Sequence, residues 1–257
     1  MSESDFSLKD KTILLTGGAG LYGEGLTRYL AKSGARLIIA SRNTAALEKL
    51  SEEEVARGHE VSCEPLDLSD EPSIASLVSR LLESYGRIDG LVNNAVLRPM
   101  QGLNETAEAW AESMKVNAEG TFLLTRAIGE VMVKQKQGSI VNVASIQGML
   151  GPNHYLYEGT NMSAPPDYFF HKGGMINLSR YFAAEYGPCG VRVNCVSPGG
   201  YFNNQDSEFV ERYNKMTMLG RMANDHDLGG AIAFLLSDAS SYITGVNLPV
   251  DGGYTAK

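Results

Sequence analysis

The sequence predicts an α/β fold, a single doubly wound parallel sheet of seven strands with helices on both faces. Three observations support this prediction. Seven short stretches rich in valine and isoleucine alternate with amphipathic helical patterns almost to the end of the chain. The first stretch runs straight into a glycine-rich turn. No composition break, repeat or linker divides the 257 residues, so we expect one Rossmann-like domain over 1–257.

The predicted strands are continuous apolar runs, as expected of strands that helices cover on both faces. They span residues 12–15, 36–40, 61–66, 88–93, 139–144, 191–196 and 246–250. Between them, apolar residues recur every three to four positions, most clearly at 74–85 and 175–186, which predicts amphipathic helices. Two segments, 151–167 and 199–219, show no strand pattern and no strong helical pattern. Loops of such length in a compact domain are usually functional.

The composition excludes several classes of function. Lysine and arginine number 22 and aspartate and glutamate number 30, which gives a formal net charge of −8 at pH 7. An acidic protein is not attracted to nucleic acid or to an anionic membrane surface. The sequence therefore favours a small-molecule partner.

Sequence signals for export, membrane insertion and metal binding are missing. The N-terminus MSESDFSLKDK has no apolar signal core, and no stretch approaches the roughly 20 apolar residues of a membrane span. Cys63, Cys189 and Cys195 form no CxxC motif, which suits a reducing compartment. The four histidines lack metal-ligand spacing, so no metal site is expected. These observations predict a cytoplasmic protein.

A glycine-rich turn, TGGAGLYGEG, joins the first strand to the first helix at residues 16–25. Its glycines are Gly17, Gly20 and Gly23, and Leu21 and Tyr22 lie between the last two. Glycines at this place allow a tight turn and a close approach to a pyrophosphate, whose charge the helix N-terminus stabilises. The turn therefore predicts a dinucleotide cofactor.

The end of the second strand indicates which dinucleotide is bound. Ser41 and Arg42 stand where an acidic side chain would bind the ribose hydroxyls of NAD. A guanidinium at this position can instead pair with a 2′-phosphate and stack on adenine. We therefore expect NADP, with NAD as the alternative.

The run YFFHK places Tyr168 four residues before Lys172, with Ser145 upstream in NVAS. Positions i and i+4 share one face of a helix, so the phenol and the ammonium can reach the same small volume. An adjacent ammonium stabilises a phenolate and lowers its pKa from the ordinary value of about 10. The pair therefore suits proton transfer to an alcohol or a carbonyl.

Further motifs follow in chain order. They are Asp67-Leu68 after the third strand, Asn94-Ala95 in NNA after the fourth, Asn117 in KVNAEG, Pro198-Gly199-Gly200 in VSPGG and the closing SYITGVNLPVDGG. With the glycine turn and the Tyr-Lys pair, they make the chain resemble the single-domain short-chain dehydrogenase/reductases from Lys11 to Gly253. The resemblance implies an NAD(P)-dependent oxidoreductase that interconverts a secondary alcohol and a ketone.

The resemblance also implies residue roles. The catalytic tetrad would be Asn117, Ser145, Tyr168 and Lys172. Tyr168 would exchange the hydroxyl proton, Lys172 would lower its pKa and hold the nicotinamide ribose, and Ser145 would orient the substrate oxygen. Asn117 would hold a water that links Lys172 to solvent. Cofactor contacts would come from Asp67 and Leu68 at adenine, Asn94 and Ala95 at the strand end, and Pro198, Gly199 and Gly200 near the nicotinamide. Members of the family commonly form tetramers, so a homotetramer is expected.

The chain departs from the family pattern in two ways that keep alternatives open. The spacing of Gly17, Gly20 and Gly23 fits the TGxxGxxG of sugar-nucleotide epimerases, and Ser145 precedes Tyr168 by 23 residues, more than is usual in single-domain members. The alternatives are a sugar-nucleotide epimerase or dehydratase with tightly held NAD, and a non-catalytic nucleotide-sensing module. The VSPGG and VDGGY motifs favour a single-domain dehydrogenase with 151–167 as an insertion.

The insertion lies between Ser145 and Tyr168, so it must pass close to the substrate. Hydrogen-bonding candidates are His154, Tyr157, Glu158 and Asn161 within it, and Arg98 and Gln147 on neighbouring loops. Such groups suit a sugar, sugar acid or polyol better than an apolar substrate. The alternative is an insertion that builds a subunit contact. Residues 199–219 follow the sixth strand, and we expect them to form a substrate lid.

Overall fold

The computed structural model describes residues 3–256, which build one parallel sheet with helices on both faces. The strands are β1 Thr12–Thr16, β2 Arg36–Ser41, β3 Val61–Pro65, β4 Gly90–Asn93, β5 Gly138–Val143, β6 Val191–Pro198 and β7 Asn247–Val250. Their order in the sheet is β3-β2-β1-β4-β5-β6-β7, and every neighbouring pair is parallel. The predicted fold class is confirmed.

The helices follow the predicted alternation with the strands. They are α1 Leu21–Lys32, α2 Thr44–Ala56, α3 Glu71–Tyr85, α4 Ala107–Met114, α5 Thr121–Gln135, α6 Pro166–Tyr186, α7 Ser207–Met216 and α8 Gly229–Leu236, with a π-helical turn at Lys115–Gly120. Short 3₁₀ turns lie at Glu3–Phe6, Ile146–Gly148, His154–Leu156, Gly187–Cys189 and Asp238–Ser240. Among residues 3–256 there is no helix with the length and apolar character needed to cross a membrane.

Each predicted strand overlaps an observed strand, and the ends differ by at most two residues. The prediction starts the fourth strand at Ile88, whereas β4 begins at Gly90. The reason is local, because the Ile88 N–H donates to the side-chain oxygen of Gln135 at 3.0 Å rather than to a neighbouring strand. Strand ends depend on such individual partners, which an apolar pattern does not record.

Two apolar layers hold helices against the sheet. Successive strand residues point to opposite faces, so Ile13 and Leu15 pack with α1, α2 and α8 while Leu14 packs with α3, α5 and α6. All three side chains are fully buried. This burial on both faces explains why the strands are continuous apolar runs rather than alternating ones.

The chain reverses its winding direction between β1 and β4. Strand β1 pairs with β2 on one side and with β4 on the other, so the connections after β1 and β4 leave the sheet in opposite directions. A crevice therefore opens between them at the carboxyl ends of the strands, the place where open α/β sheets bind ligands.

The prediction that residues 199–219 lack a helix is wrong. Helix α7 occupies Ser207–Met216, and the Asp206 side chain accepts a hydrogen bond from Glu208 N–H at its start. Its apolar residues Phe209, Val210 and Tyr213 lie on one face, which packs against the insertion. The apolar residues are well separated onto one face, but they are few and the helix is only ten residues long and mostly polar, so it is easily overlooked in the sequence.

Candidate active site

A cavity of about 900 Å³ opens at the carboxyl ends of the strands. One end is lined by residues that follow β1, β2 and β3, and the other by the segments that follow β5 and β6. We call the first the cofactor half and the second the substrate half. Tyr168 and Lys172 lie on α6 and line the cavity with residues of both halves.

The cofactor half is fixed by hydrogen bonds between two strand ends. The Thr16 hydroxyl accepts from the N–H groups of Asn94 and Ala95, both at 3.0 Å. In return, the Asn94 amide donates to the carbonyls of Thr16 and Gly17 at 3.0 and 3.1 Å. Gly17 has a φ of +68°, and a Cβ on it would lie 2.9 Å from the Cα of Ala95. Only glycine fits between the two strand ends here.

The first turn of α1 suits a phosphate group. The first N–H groups of a helix have no intrahelical partner, and no side chain caps α1. Gly20, Leu21 and Tyr22 at this helix start line the cavity, so their region can meet a phosphate. Gly23 lies outside the cavity lining, and a Cβ on it would collide with the Gly17 carbonyl oxygen. Gly23 therefore allows the turn to close rather than facing a ligand. The glycine turn fits a dinucleotide.

The far end of the cofactor half carries the residues expected around adenine. Ser41, Arg42, Asp67 and Leu68 all line the cavity. Asp67 accepts from the N–H and hydroxyl of Ser69 at 2.8 and 2.7 Å, and these hydrogen bonds lower the pKa of Asp67. The Arg42 side chain is exposed at the cavity rim. A guanidinium in that position can meet a 2′-phosphate.

Helix α6 brings the Tyr-Lys pair to the cavity. Lys172 is 3 % exposed, and its Nζ donates to the Val143 carbonyl at 2.6 Å. The same Nζ lies 5.6 Å from the centroid of the Tyr168 ring. Burial lowers the pKa of Lys172, and the neighbouring Tyr168 works against that shift. The ammonium is therefore held close behind the phenol by a backbone carbonyl of β5.

The environment of Tyr168 favours its ionised form. Burial by itself raises the pKa of this phenol, but Lys172, Arg98 and the Ser145 hydroxyl together bring the pKa below its ordinary value. Arg98 contributes directly, because its guanidinium carbon lies 4.7 Å from the ring centroid and one of its nitrogens donates to the Tyr168 Oη at 3.5 Å. Two cations therefore flank one phenol, which makes it a stronger acid and suits it to proton transfer.

Ser145 is positioned by a tight approach between its turn and α6. Its hydroxyl accepts from the Gln147 N–H at 3.1 Å, at the start of the turn Ile146–Gly148. A Cβ on Gly148 would lie 2.6 Å from the Lys172 carbonyl carbon. Sequence reasoning missed Gly148 and Thr16, although a glycine three residues after the serine is a signal for close backbone approach.

Asn117 lies in the π-helical turn and outside the cavity lining. Its amide nitrogen donates to the Leu97 carbonyl at 2.7 Å and to the Ser113 hydroxyl at 3.0 Å, and its oxygen accepts from the Leu97 N–H at 2.9 Å. Both amide hydrogens are thus used inside the protein. The structure shows Asn117 holding the loop after β4, and the predicted water link to Lys172 stays a prediction.

The substrate half has its own apolar cluster. Ile146, Leu156, Phe209, Tyr213 and Met222 are buried together, apart from the two layers on the sheet. These residues come from the turn after β5, the insertion, α7 and the loop that follows it. The cluster joins the insertion to α7 above the cavity.

Three of the six predicted substrate residues line the cavity. Arg98, Gln147 and Tyr157 do so, and the Gln147 amide donates to the Tyr157 hydroxyl at 3.3 Å. His154, Glu158 and Asn161 are exposed and lie outside the lining. The structure corrects this part of the prediction, because the turn His154–Leu156 buries Leu156 in the cluster and leaves its polar neighbours facing outward. Asn153, Ser163 and Gln205 line the cavity instead.

No set of three or more histidine, cysteine, aspartate or glutamate side chains in residues 3–256 is arranged to hold a metal ion. The chemistry of the cavity therefore has to be read from its phenol, ammonium, guanidinium and hydroxyl groups. Together with a dinucleotide-shaped strand crevice, these groups define a nucleotide-dependent oxidoreductase site.

Comparison with known proteins agrees with this class. A family model described as Enoyl-(Acyl carrier protein) reductase matches residues 20–255. The 2,5-dichloro-2,5-cyclohexadiene-1,4-diol dehydrogenase of Sphingobium indicum is 33% identical, over 97% of this chain and 98% of its own. A gluconate 5-dehydrogenase from Burkholderia cenocepacia J2315, solved with NADP and tartrate, is 27% identical with a TM-score of 0.90, covering 99% and 98% of the two chains. A short-chain dehydrogenase from Leptospira borgpetersenii with bound NAD+ is 32% identical with a TM-score of 0.87, covering 99% and 96%.

The chain belongs to the short-chain dehydrogenase/reductase family. It is therefore an oxidoreductase that acts on CH–OH groups with a nicotinamide cofactor. The relatives include enzymes with either NAD+ or NADP bound.

Proposed function

We propose that the protein uses NADP to interconvert a secondary alcohol and a ketone on a sugar, sugar acid or polyol. The observation that carries the proposal is the cluster of Tyr168, Lys172 and Ser145 beside a substrate half that sets several hydrogen-bonding groups into a largely apolar wall. Gln147, Tyr157 and other amide and hydroxyl groups line that half. Such a wall suits a ligand with several hydroxyl groups. The names of the gluconate 5-dehydrogenase neighbours point to the same class of compound.

The chain supplies the acid–base part of the reaction. In oxidation, the substrate hydroxyl gives its proton to the Tyr168 phenolate, and in reduction the phenol returns a proton to the new alkoxide. Lys172 stabilises the phenolate and is itself held by the Val143 carbonyl. Ser145 hydrogen-bonds the substrate oxygen and shares its developing charge. The nicotinamide, when bound, accepts or supplies the two electrons and the hydrogen of the C–H bond.

Tyr168→Phe tests the proposed chemistry. The ring remains, but the transferable proton is lost, so we expect turnover to fall by about 10²–10⁴-fold while NADP affinity changes little. Turnover is followed by cofactor absorbance against a panel of sugars, sugar acids and polyols, and affinity by cofactor fluorescence. Turnover close to that of the unmodified enzyme would remove Tyr168 from the mechanism.

The preference for NADP rests on Arg42. Its guanidinium is exposed at the cavity rim, where, after the hydrogen bonds from Ser69, it contributes to lowering the pKa of Asp67. Arg42→Ala should weaken NADP binding by about 1–3 kcal/mol and NAD binding much less, because only NADP carries the 2′-phosphate. Equal losses for the two cofactors, or an unmodified enzyme that prefers NAD, would contradict this assignment.

We also propose that the protein is a cytoplasmic homotetramer. Phe170 and Tyr181 on α6 are 61% and 60% exposed in the single chain, and Tyr242 before β7 is fully exposed. Large exposed aromatic side chains on two separate elements are typical of subunit contacts. Cys63, Cys189 and Cys195 are free thiols, which suits a reducing compartment. Light scattering at micromolar concentration tests the assembly, and a monomer would contradict it.

A further inference from the structure

Arg98 is a cation on the cavity wall without an acidic partner. Its guanidinium stacks over Tyr168 and reaches the phenol oxygen at 3.5 Å, yet no carboxylate among residues 3–256 forms an ion pair with it. The side chain is exposed and lines the cavity. A guanidinium carries five N–H donors in a fork that matches a carboxylate, and here Tyr168 accepts from one of its nitrogens while the side chain stays exposed.

The loop that presents Arg98 is fixed on both sides. Its neighbour Leu97 exchanges two hydrogen bonds with the Asn117 side chain, at 2.7 and 2.9 Å. Asn117 is buried and is itself bonded to Ser113, whose hydroxyl donates to Asp167 at 2.5 Å. On the other side, Met100 is 5% exposed. A buried network therefore holds the backbone that directs Arg98 toward Tyr168.

The surroundings of Arg98 carry no compensating negative charge. Among the described residues that line the cavity, the one acidic side chain is Asp67, at the adenine end of the cofactor half. The substrate half contributes neutral groups, such as Gln147, Asn153 and Ser163. Because Arg98 has no ion-pair partner and the substrate half contributes no acidic side chain among the described residues, the wall beside Tyr168 favours an anionic ligand.

We propose that Arg98 binds a carboxylate of the substrate, so that the substrate is a hydroxy acid and the product the corresponding keto acid. This inference rests on the proposed function and narrows it to acids. The 3.5 Å between the guanidinium nitrogen and the Tyr168 oxygen lets both groups contact one small ligand, and with contacts of about 2.7–2.9 Å each the carboxylate and the reacting hydroxyl lie at most about 9 Å apart. A 2-hydroxy or 3-hydroxy acid meets this requirement.

The test compares each acid with its own methyl ester. A panel of 2-hydroxy and 3-hydroxy acids and their methyl esters is assayed with the unmodified enzyme, Arg98→Gln and Arg98→Lys. The unmodified enzyme should favour acid over ester in kcat/KM by about tenfold to 100-fold, the range of a charge-assisted hydrogen bond. In Arg98→Gln the ratio of kcat/KM for acid to kcat/KM for ester should fall to about one. In Arg98→Lys, which keeps the positive charge, part of the preference for the acid should remain.

The ratio separates recognition from acid–base chemistry. Arg98 also lowers the pKa of Tyr168, so its removal alters the pH profile for every substrate. Acid and ester use the same Tyr168 in the same variant, so this effect cancels in their ratio. The carboxylate subsite would be refuted if the unmodified enzyme did not prefer acid over ester, or if Arg98→Gln kept the same ratio. Turnover of both compounds would still support the proposed function in that case.

A binding measurement decides the question if no compound is turned over, the outcome in which the proposed function itself fails. Malonate is titrated into the complex with NADPH, and bound NADPH fluorescence is followed. Malonate should bind the unmodified protein at least tenfold more tightly than Arg98→Gln, and malonamide should bind neither. Inorganic phosphate is titrated in parallel. The carboxylate subsite at Arg98 would be refuted if phosphate bound more tightly than malonate, or if malonate bound the unmodified protein and Arg98→Gln equally well.

Discussion

The two halves of the cavity are built in different ways. The cofactor half consists of strand ends that emerge from the sheet, where Thr16 and Asn94 bond β1 to β4 above two fully buried apolar layers. The substrate half consists of segments between strands, held together by a small cluster around Phe209 and Tyr213. One half is part of the sheet, and the other is attached to it.

Because of this difference, substitutions in the two halves should have different effects on the stability of the protein. The strand ends cannot move without disturbing the core, so the cofactor half changes only at a cost in global stability. The cluster of the substrate half contains five buried residues, each 4–6% exposed, and belongs to neither sheet layer. Segments with few buried contacts open with a lower free energy than the core. The substrate half can therefore vary in sequence and position while the cofactor half stays intact.

The largest expected contrast comes from one core residue and one cluster residue. Leu124→Ala removes a fully buried side chain from the layer beneath the sheet and should lower the free energy of unfolding by about 2–5 kcal/mol. Phe209→Ala creates a cavity in the cluster, where local opening should keep the loss of global stability well below that of Leu124→Ala. Urea unfolding followed by circular dichroism measures both values.

Kinetics complete that comparison. Phe209→Ala should lower kcat/KM by at least tenfold, because Phe209 lines the cavity and supports Tyr157 at 5.5 Å between ring centroids, while NADP affinity stays constant. The two halves would have to be regarded as one cooperative unit if Phe209→Ala destabilised the protein as much as Leu124→Ala and weakened both ligands equally.

The same difference explains what the sequence could predict. Each piece of the cofactor half is encoded within a few residues, as a strand followed by a turn, so the seven strands, the glycine turn and Arg42 were all found from local patterns. Lys172 and Tyr168 share one helix, and their i and i+4 spacing was equally local. These parts of the site needed no knowledge of distant contacts.

The substrate half depends on contacts between segments far apart in the sequence. Whether His154 or Asn153 faces the cavity is decided by Leu156, which packs against Phe209 more than 50 positions later. Helix α7 is short, and its apolar face is buried only because the insertion packs against it. The Asn117 clamp on Leu97 likewise joins residues 20 positions apart. No local pattern records these partners, so the sequence indicated the right segments, but only half of the predicted substrate side chains line the cavity.

A smaller effect is expected from His171, a buried histidine on α6 beside Tyr168, and it concerns the dependence of stability on pH. His171 is 3% exposed, neither ring nitrogen has a hydrogen-bond partner among residues 3–256, and the ring lies edge-on to Tyr168. Burial first, then Lys172 and Arg98, lowers the pKa of His171 to about 3. Below pH 6.5 the unfolded chain therefore binds a proton that the folded protein does not, and stability is lost as the pH falls.

His171→Phe should remove this loss. At pH 4.5 protonation of the histidine in the unfolded chain should lower the free energy of unfolding of the unmodified protein by about 2–3 kcal/mol, and this loss should be missing in the variant. The difference in unfolding free energy between variant and unmodified protein is measured from pH 7 to pH 4.5, with the same substitution at the exposed His226 as the control. A difference that does not change with pH would show that His171 takes up its proton in the folded state.

The smallest expected effect concerns the bond that joins the two halves. The Tyr22 hydroxyl, on the first turn of α1, donates to the Gly199 carbonyl at 2.8 Å, and its ring meets Tyr201 at 4.8 Å between centroids. Burial, with a smaller effect from nearby Tyr213, raises the pKa of Tyr22, so the hydroxyl keeps its proton and remains a donor. Tyr22 thus links the glycine turn to the loop that begins the substrate half, across the place where a dinucleotide would enter.

Tyr22→Phe removes one neutral hydrogen bond, worth about 0.5–1.5 kcal/mol, and should weaken NADP binding by about twofold to tenfold through faster dissociation. Tyr29→Phe makes the same change on the same helix but outside the cavity lining, and stopped-flow release of NADPH compares the two. Equal release rates in both variants would mean that the halves close over the cofactor independently of this bond.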